Sequence, residues 1–364
     1  MRIAINATEI GRQRGGNESF LLGLLDGWRS LSITEPLTLL ACAEGRPALA
    51  KVPNPHRFNV IDTGPYRRWS SYVWQQTQAL RQIRPDWYLS TFLLPLHVPC
   101  RAAVIVHDVS FRAHPEYFPR SIAAYMRMLV SWAMRRAAVV LTISDFTRRE
   151  IQHYYPSTAR KTVVVSCGVG SEFTAEGDAE TDRVALQAYG IESPYLLAVG
   201  NIHPRKNLGR LLDAYLTLRS DLPNTPNLVW AGVERWGSTD LQQRARATGV
   251  NLPGRIAAEH LPALYRQALA LAYPSLYEGF GLPPVEAMAC GTPIIASNTT
   301  SLPEVVGEAA LLIDPLNVND LAAALRRVVT DAALRGQLRE RGLSRVRLYR
   351  WATVADRVWQ ALSP

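Results

Sequence analysis

The chain has 364 residues, 48% of them apolar and 20% charged, with a formal net charge of +9. That length exceeds what one hydrophobic core usually serves, so two domains are expected, and the balance of apolar and charged residues is that of a soluble globular protein. No apolar run is long enough to span a membrane, and the start, Met1-Arg-Ile-Ala-Ile-Asn6, turns polar too soon for a secretory leader. Cys42, Cys100, Cys167 and Cys290 are scattered without paired spacing, which fits reduced thiols in the cytoplasm and no zinc site. The charge is uneven: Met1–Thr174 holds 21 Lys and Arg against 12 Asp and Glu, and the remainder holds 19 of each. A basic first half suits an acidic partner such as an anionic membrane surface, a lipid phosphate or nucleic acid, or it is simply a soluble basic surface.

In chain order, residues 2–6 read as a buried strand, followed by Gly15-Gly16 and an apolar-periodic helix over 20–28. The two glycines would let backbone amides approach a diphosphate at a helix start; an ordinary turn fits them equally. Neither the three-glycine dinucleotide fingerprint nor a triphosphate-binding loop occurs, which counts against a nicotinamide, flavin or nucleotide-triphosphatase enzyme. Short strands follow at 37–42, 57–61 and 87–90. Between them the spacing of Trp69, Tyr72, Val73, Gln76 and Leu80 predicts a helix over 65–80, flanked by Arg67, Arg68, Arg81 and Arg84. Such a helix either lies at a membrane interface or packs its aromatic stripe on a sheet. The strand at 101–106 ends at His107-Asp108, where open α/β sheets gather ligands. A His-Asp pair also fits a metal-dependent hydrolase, but the other ligands of such a site are not visible.

A helix over 121–137, a strand at 139–143, a helix over 146–154 capped by Ser144-Asp145 and a strand at 162–166 complete the first half. The polar stretch 170–182 reads as a linker. Strands are then expected at 195–199, 227–231, 268–273 and 293–296. Helices are expected over 208–218, 239–247, 261–267 and 318–329, and Gly254-Arg255-Ile256 reads as a short turn. The last segment, 351–362, is amphipathic, with Trp351, Val354, Ala355, Val358 and Leu362 on one face. Alternating strands and helices in both halves mean two parallel-sheet α/β domains, at 1–174 and 175–348, with a terminal helix at 349–364 returning to the first.

Three features carry chemistry. Arg205-Lys206 opens a helix directly after a strand, where positive charge is disfavoured, so an anion is expected beside it. A solvated helix start is the plain alternative. Glu278-Gly279-Phe280-Gly281-Leu282 leads from a strand into a two-turn helix stopped by Gly291, and its amides and dipole favour a phosphate. Glu278 before this loop and Glu286 in the helix's first turn then suit sugar and ribose hydroxyls; helix-dipole preference alone also explains an acid there.

The string Glu278-Gly-Phe-Gly-Leu-Pro-Pro-Val-Glu286-Ala-Met-Ala-Cys-Gly-Thr-Pro293 closely resembles the donor-site signature of retaining family-four glycosyltransferases. With Val106-His-Asp-Val-Ser-Phe111, Pro115-Glu-Tyr-Phe118 and Thr142-Ile-Ser-Asp-Phe-Thr-Arg148 the likeness spans both halves, and it is closest to bacterial polysaccharide mannosyltransferases. The resemblance implies the GT-B fold, two Rossmann-like domains facing across a cleft. It assigns Glu286 to the ribose, Arg205 and Lys206 to the diphosphate, Glu278 to the sugar ring and Arg255-Ile256 to the base, with His107 meeting the donor sugar and the first domain holding the acceptor. The chain departs from relatives at Asn201, where many carry arginine, and at Cys167-Gly-Val-Gly170, where Asn-Gly-Val-Asp is common.

The reaction implied is hexosyl transfer with retention, from GDP-mannose or a UDP-hexose to a glycan or lipid-linked acceptor. Neither a cofactor nor a metal is expected, since no Asp-x-Asp clamp occurs, and the enzyme would sit in the cytoplasm or against the inner membrane face. Glu278 and Glu286 share one loop–helix unit and cannot flank a sugar, so they read as binding groups, and the departing phosphate would deprotonate the acceptor. An epimerase of the same architecture and a non-catalytic sugar-nucleotide or nucleic-acid binder are the alternatives. No nucleic-acid module is visible, so nucleic acid is not an expected partner.

Overall fold

The structure, a computed structural model, describes residues 1–12, 15–31, 37–50, 58–65, 74–233 and 239–363. The chain divides into two compact units, Met1–Gly168 with Arg350–Pro364, and Val169–Tyr349. The first boundary falls ahead of Thr174, where the charge composition changes.

The first unit is built on a seven-stranded sheet. Its strands are β1 (Ile3–Asn6), β2 (Leu37–Ala41), β3 (Phe58–Asp62), β4 (Trp87–Thr91), β5 (Arg101–Val106), β6 (Val139–Thr142) and β7 (Thr162–Val164), in the order β3-β2-β1-β4-β5-β6-β7. All pairings are parallel. The strands β1 and β4, and β5 beyond Arg101, are buried throughout, as in a parallel sheet covered on each side. Chain order reverses between β1 and β4, leaving a crevice at their carboxyl ends.

The second unit repeats this plan with six strands. They are β8 (Tyr195–Val199), β9 (Asn227–Ala231), β10 (Asn251–Gly254), β11 (Ala268–Tyr273), β12 (Ile294–Ser297) and β13 (Ala310–Ile313), in the order β10-β9-β8-β11-β12-β13. Here the order reverses between β8 and β11. One core cluster packs Leu211, Leu212, Tyr215 and Leu218 of the helix Leu208–Asp221, and Leu321, Leu325 and Val328 of the helix Val318–Thr330, around Leu196, Leu228 and Trp230 of the sheet.

Three differences from the sequence expectation bear on the second unit. Residues 251–254 form an edge strand, not only a turn; its Pro253 and half-buried side chains hide the alternation a strand usually shows. A helix at Ala332–Arg345 buries only Leu338 and Gly342, too few to register as a periodic stripe, and is started by Asp331, whose side chain accepts from the Leu334 amide at 2.9 Å. Part of the supposed linker is the helix Ala179–Gln187. Its Asp182 is buried and forms two hydrogen bonds with Arg266, at 2.6 and 2.7 Å. Of the helix predicted over 65–80, residues 66–73 lie outside the described residues, and the described helix runs Gln76–Ile83.

The terminal helix Trp351–Leu362 packs on the helix Gly16–Arg29 of the first unit. Trp351 fills a socket of three glycines. A Cβ on Gly23 would stand 2.0 Å from the indole, one on Gly27 2.2 Å from the Trp351 carbonyl, and one on Gly168 2.5 Å from its amide. The socket inverts the usual helix preference. Gly336, in an exposed helix with nothing near its absent Cβ, should gain about 0.5–1 kcal/mol as Gly336→Ala. Gly23→Ala should instead lose about 1–3 kcal/mol through overpacking. Paired urea melts of the two variants check the opposite signs.

Candidate active site

The carboxyl ends of β8 and β11 carry the charged residues. After β8 the chain passes Gly200 and makes a single 3-10 turn, Pro204–Lys206, before the helix Leu208–Asp221 begins. Arg205 and Lys206 therefore lie in a turn just ahead of the helix, not in its first turn. Asn207 separates the two in the left-handed region, φ 58°, a conformation asparagine tolerates better than most residues. Its side-chain amide donates to the Pro274 and Pro315 carbonyls at 3.1 and 2.6 Å, and the Leu276 amide donates to the Arg205 carbonyl at 2.7 Å. The turn is thus stitched to the loop that leaves β11.

That loop delivers Glu278. The Ser301 hydroxyl bonds the Glu278 and Phe280 carbonyls at 2.9 and 3.0 Å, and the Glu278 amide donates to the Thr300 hydroxyl at 3.3 Å. Gly281, at φ 104°, caps the helix Leu282–Ala289, and Gly291, at φ 72°, follows its end. A Cβ on Gly281 would come within 2.8 Å of Leu302, so this position needs glycine on both counts. Glu286 occupies the second turn of this helix; no acid stands in the first turn, so the expected helix-dipole partnership does not apply.

Glu278 is 5% exposed and fully engaged. Arg205 Nη1 donates to Oε2 and Lys206 Nζ to Oε1, both at 2.6 Å, and the Tyr273 hydroxyl donates to Oε1 at 2.9 Å. Lys206 also donates to the Tyr273 hydroxyl, with its ammonium 4.4 Å from the ring centroid, and Arg205 Nη1 donates to the Tyr277 carbonyl at 2.9 Å. Burial pushes the Glu278 carboxyl up, but Arg205 and Lys206 outweigh it and hold the group at about 2. The anion that the Arg205-Lys206 pair called for is, in this structure, Glu278 itself.

Glu286 behaves oppositely. Burial pushes it up to about 7; the Tyr265 hydroxyl, donating to Oε2 at 2.6 Å, opposes the rise, and Glu172 adds to it. Tyr265 is itself fully buried, its carbonyl held by the Thr292 hydroxyl at 2.8 Å. Arg255 is exposed and Ile256 buried just beyond β10. Beside them the carboxyl ends of β8, β9 and β10 each end in a glycine. The Gly232 amide donates to the Gly254 carbonyl at 2.8 Å, and a Cβ on Gly232 would stand 2.0 Å from the Gly200 carbonyl. This shelf without side chains was missed in the sequence because its glycines are far apart in the chain. Tyr273, Tyr265, Asn207 and Ser301 were missed for the same reason, each acting through a partner distant in sequence.

In the first unit, Gly15 at φ 92° caps the helix that begins at Gly16, and a Cβ on either glycine would meet nothing within 4 Å. Glu18 of that helix accepts from the Gly11 amide at 2.7 Å. His107 follows β5 and is 9% exposed, with Phe20 edge-on at 4.9 Å and Phe92 tilted at 5.5 Å. Burial lowers its imidazole to about 4, with Asp108 pulling the other way, so the ring is neutral at physiological pH. Its Nε2 is buried with no hydrogen-bond partner, an expensive state unless a ligand supplies one. Asp108 turns away from it, Oδ1 accepting from the Ser110 amide and hydroxyl at 3.0 and 2.6 Å.

Two sheets of this strand order, one with paired cations and a buried carboxylate at its switch point and a glycine shelf beside it, are the GT-B architecture of glycosyltransferases. Solved structures agree on the fold. Sucrose-phosphate synthase from Thermosynechococcus elongatus superposes with a TM-score of 0.76 at 19% identity, covering 99% of this chain and 98% of the other. Anabaena HepE in complex with UDP-glucose gives 0.76 at 18%, covering 100% and 99%. Residues 15–173 match the description Glycosyltransferase Family 4, and residues 183–345 match Glycosyl transferases group 1. The O-antigen chain mannosyltransferase B of Escherichia coli is 36% identical over 283 residues, 76% of this chain and 74% of that protein. The chain belongs to this glycosyltransferase family.

The two glutamates set opposite pH trends in stability. Because Glu286 holds its proton more tightly when folded, its effect is a loss of stability as pH rises from about 4.5 to about 7. Glu278 contributes stability above the ordinary carboxyl range that is lost as pH falls toward about 2. Urea melts at pH 5 and pH 8 should therefore show a smaller drop toward pH 8 in Glu286→Gln than in the parent chain.

Proposed function

We propose that this glycosyltransferase moves a mannosyl group from GDP-mannose, with retention of configuration, to a growing cell-surface polysaccharide or its lipid-linked precursor. The buried cluster of Arg205, Lys206 and Glu278 at the β8/β11 switch point carries the reading, and the likeness to an O-antigen mannosyltransferase supports the sugar and the pathway class. Arg205 and Lys206 meet the diphosphate, Glu286 the ribose and Glu278 the hydroxyls of the sugar ring. Arg255 and Ile256 flank the base, and the backbone of Gly279, Phe280, Gly281 and Leu282 borders the phosphates. By the family likeness, His107 and the Gly15-Gly16 helix start also serve the donor, with the buried Nε2 of His107 available to a sugar hydroxyl.

As the glycosidic bond breaks, negative charge grows on the leaving diphosphate, and the two cations stabilise it where it forms. Glu278 and Glu286 belong to one loop–helix unit, so neither is placed as a nucleophile on the far face of the sugar. The departing phosphate oxygen takes the acceptor's proton on the same face from which the acceptor attacks. The neutral His107 serves as a hydrogen-bonding group in this scheme and carries no charge.

A thermal-shift panel of GDP-mannose, UDP-glucose, GDP and UDP tests the donor. Binding to the folded form at one hundred times Kd adds about 2.7 kcal/mol of stability. A shift with UDP-glucose and none with GDP-mannose would replace the donor assignment; no shift with any of the four would remove the site. With the donor that binds, Lys206→Ala should lower turnover by roughly a hundredfold or more, since it deletes a contact that strengthens in the transition state. Donor affinity should rise as pH climbs through about 7, because an ionised Glu286 accepts two ribose hydroxyls where the acid accepts them poorly. No helix among the described residues is long and apolar enough to cross a membrane. The basic first half is read as the side that meets a lipid-linked acceptor, and co-sedimentation with phosphatidylglycerol vesicles that weakens with salt is the expected result.

A further inference from the structure

We propose that Glu278 is an internal counter-ion of the diphosphate cradle, and that it makes the site favour an intact sugar nucleotide over the nucleoside diphosphate product. The inference rests on the donor site described above. In this structure both cations sit on one carboxylate, each on its own oxygen at 2.6 Å, and Glu278 and Lys206 are 5% and 9% exposed. Arg205 meets Glu278 through Nη1 alone and Lys206 keeps a further N–H, so a diphosphate first shares the two cations with Glu278 and draws them toward itself as it takes over more of their donors. That exchange leaves two anions side by side in a poorly screened pocket, where like charges repel strongly.

What remains on Glu278 decides the outcome. The Tyr273 hydroxyl, 2.9 Å from Oε1, is a neutral donor that stays with the carboxylate when the ammonium leaves. Tyr273 is buried, and its hydroxyl also accepts from Lys206, so it stands between the two partners of the exchange. An intact donor brings sugar hydroxyls, further neutral donors for Glu278, and these offset the lost cations. The product diphosphate brings no hydroxyls to that position and carries more charge. Glu278 therefore penalises the product more than the donor, which speeds clearance of the site after transfer.

The test is calorimetric titration of the full chain with GDP and with UDP at fixed ionic strength. Whichever nucleoside diphosphate the parent chain binds should bind about tenfold tighter to Glu278→Gln, an isosteric change that removes the opposing charge. The same ligand should bind roughly three- to tenfold weaker to Tyr273→Phe, which strips the carboxylate of its remaining donor. In the Glu278→Gln background the Tyr273→Phe change should have little effect on that affinity. Opposite signs for the two single variants are what a merely structural cluster would not give. Equal or weaker binding to Glu278→Gln, or an unchanged Tyr273→Phe, overturns the proposal. A parent chain that binds neither nucleotide instead overturns the donor site itself.

Discussion

One carboxylate held between two cations organises the second unit. Glu278, Arg205 and Lys206 come from loops after β11 and β8, and these loops meet only because the two strands are neighbours at a reversal of chain order. A buried ionic group is stable only when its hydrogen-bonding capacity is satisfied on all sides, and the surrounding residues supply this. Asn207 in its left-handed conformation ties the cation-bearing turn to Pro274 and Pro315, and Ser301 pins the carbonyls on either side of the glutamate loop. Tyr273 closes the cluster from below. Removing any of these would leave the charges in place but their geometry unfixed.

The two units share a strand order but present different chemistry at their carboxyl ends. In the second, permanent charges and a shelf of glycines suit a polar, anionic ligand that must approach the backbone. In the first, His107 is neutral, boxed by Phe20 and Phe92, and keeps a buried nitrogen without a partner. Phe20 also packs edge-on against Trp351 at 5.5 Å, so the aromatic wall beside His107 is backed by the terminal helix in its glycine socket. Trp351 is thereby linked through Phe20 to His107, far from it in the sequence.

Most of the parallel-sheet plan was legible because buried strands here are short, nearly continuous apolar runs, as at 101–106 and, stopped by Pro274, at 268–273. The motif around Glu278 was legible because its glycines and proline are local: one loop, one helix start, one stop. What escaped was whatever depends on pairing across the chain. Tyr273 and Tyr265 read as strand-end and helix aromatics until their hydroxyls are seen on Lys206 and Glu286. The edge strand at Asn251–Gly254 and the helix Ala332–Arg345 escaped because each buries too few residues to print a period. Glu286 falls in the second turn and not the first because the helix starts one or two residues early: two consecutive prolines leave the first helical residue ambiguous, and Leu282 takes it.

The contrast between Glu278 and Glu286 shows how little of a carboxylate's behaviour belongs to its residue type. Both sit in one loop–helix unit, Glu278 buried and Glu286 half-buried. Cations at 2.6 Å make the first a group that stays ionised down to about 2, and a single tyrosine hydroxyl leaves the other to titrate near 7. The difference follows from which strand ends each one reaches: Glu278 meets the turn after β8 and its two cations, whereas Glu286 meets the helix Leu261–Arg266 and its neutral Tyr265. A constant charge at one position and a proton-sensitive one at the other give the site two unequal acceptors. A ligand that used both acceptors would feel pH through Glu286 alone across the neutral range, where Glu278 stays ionised.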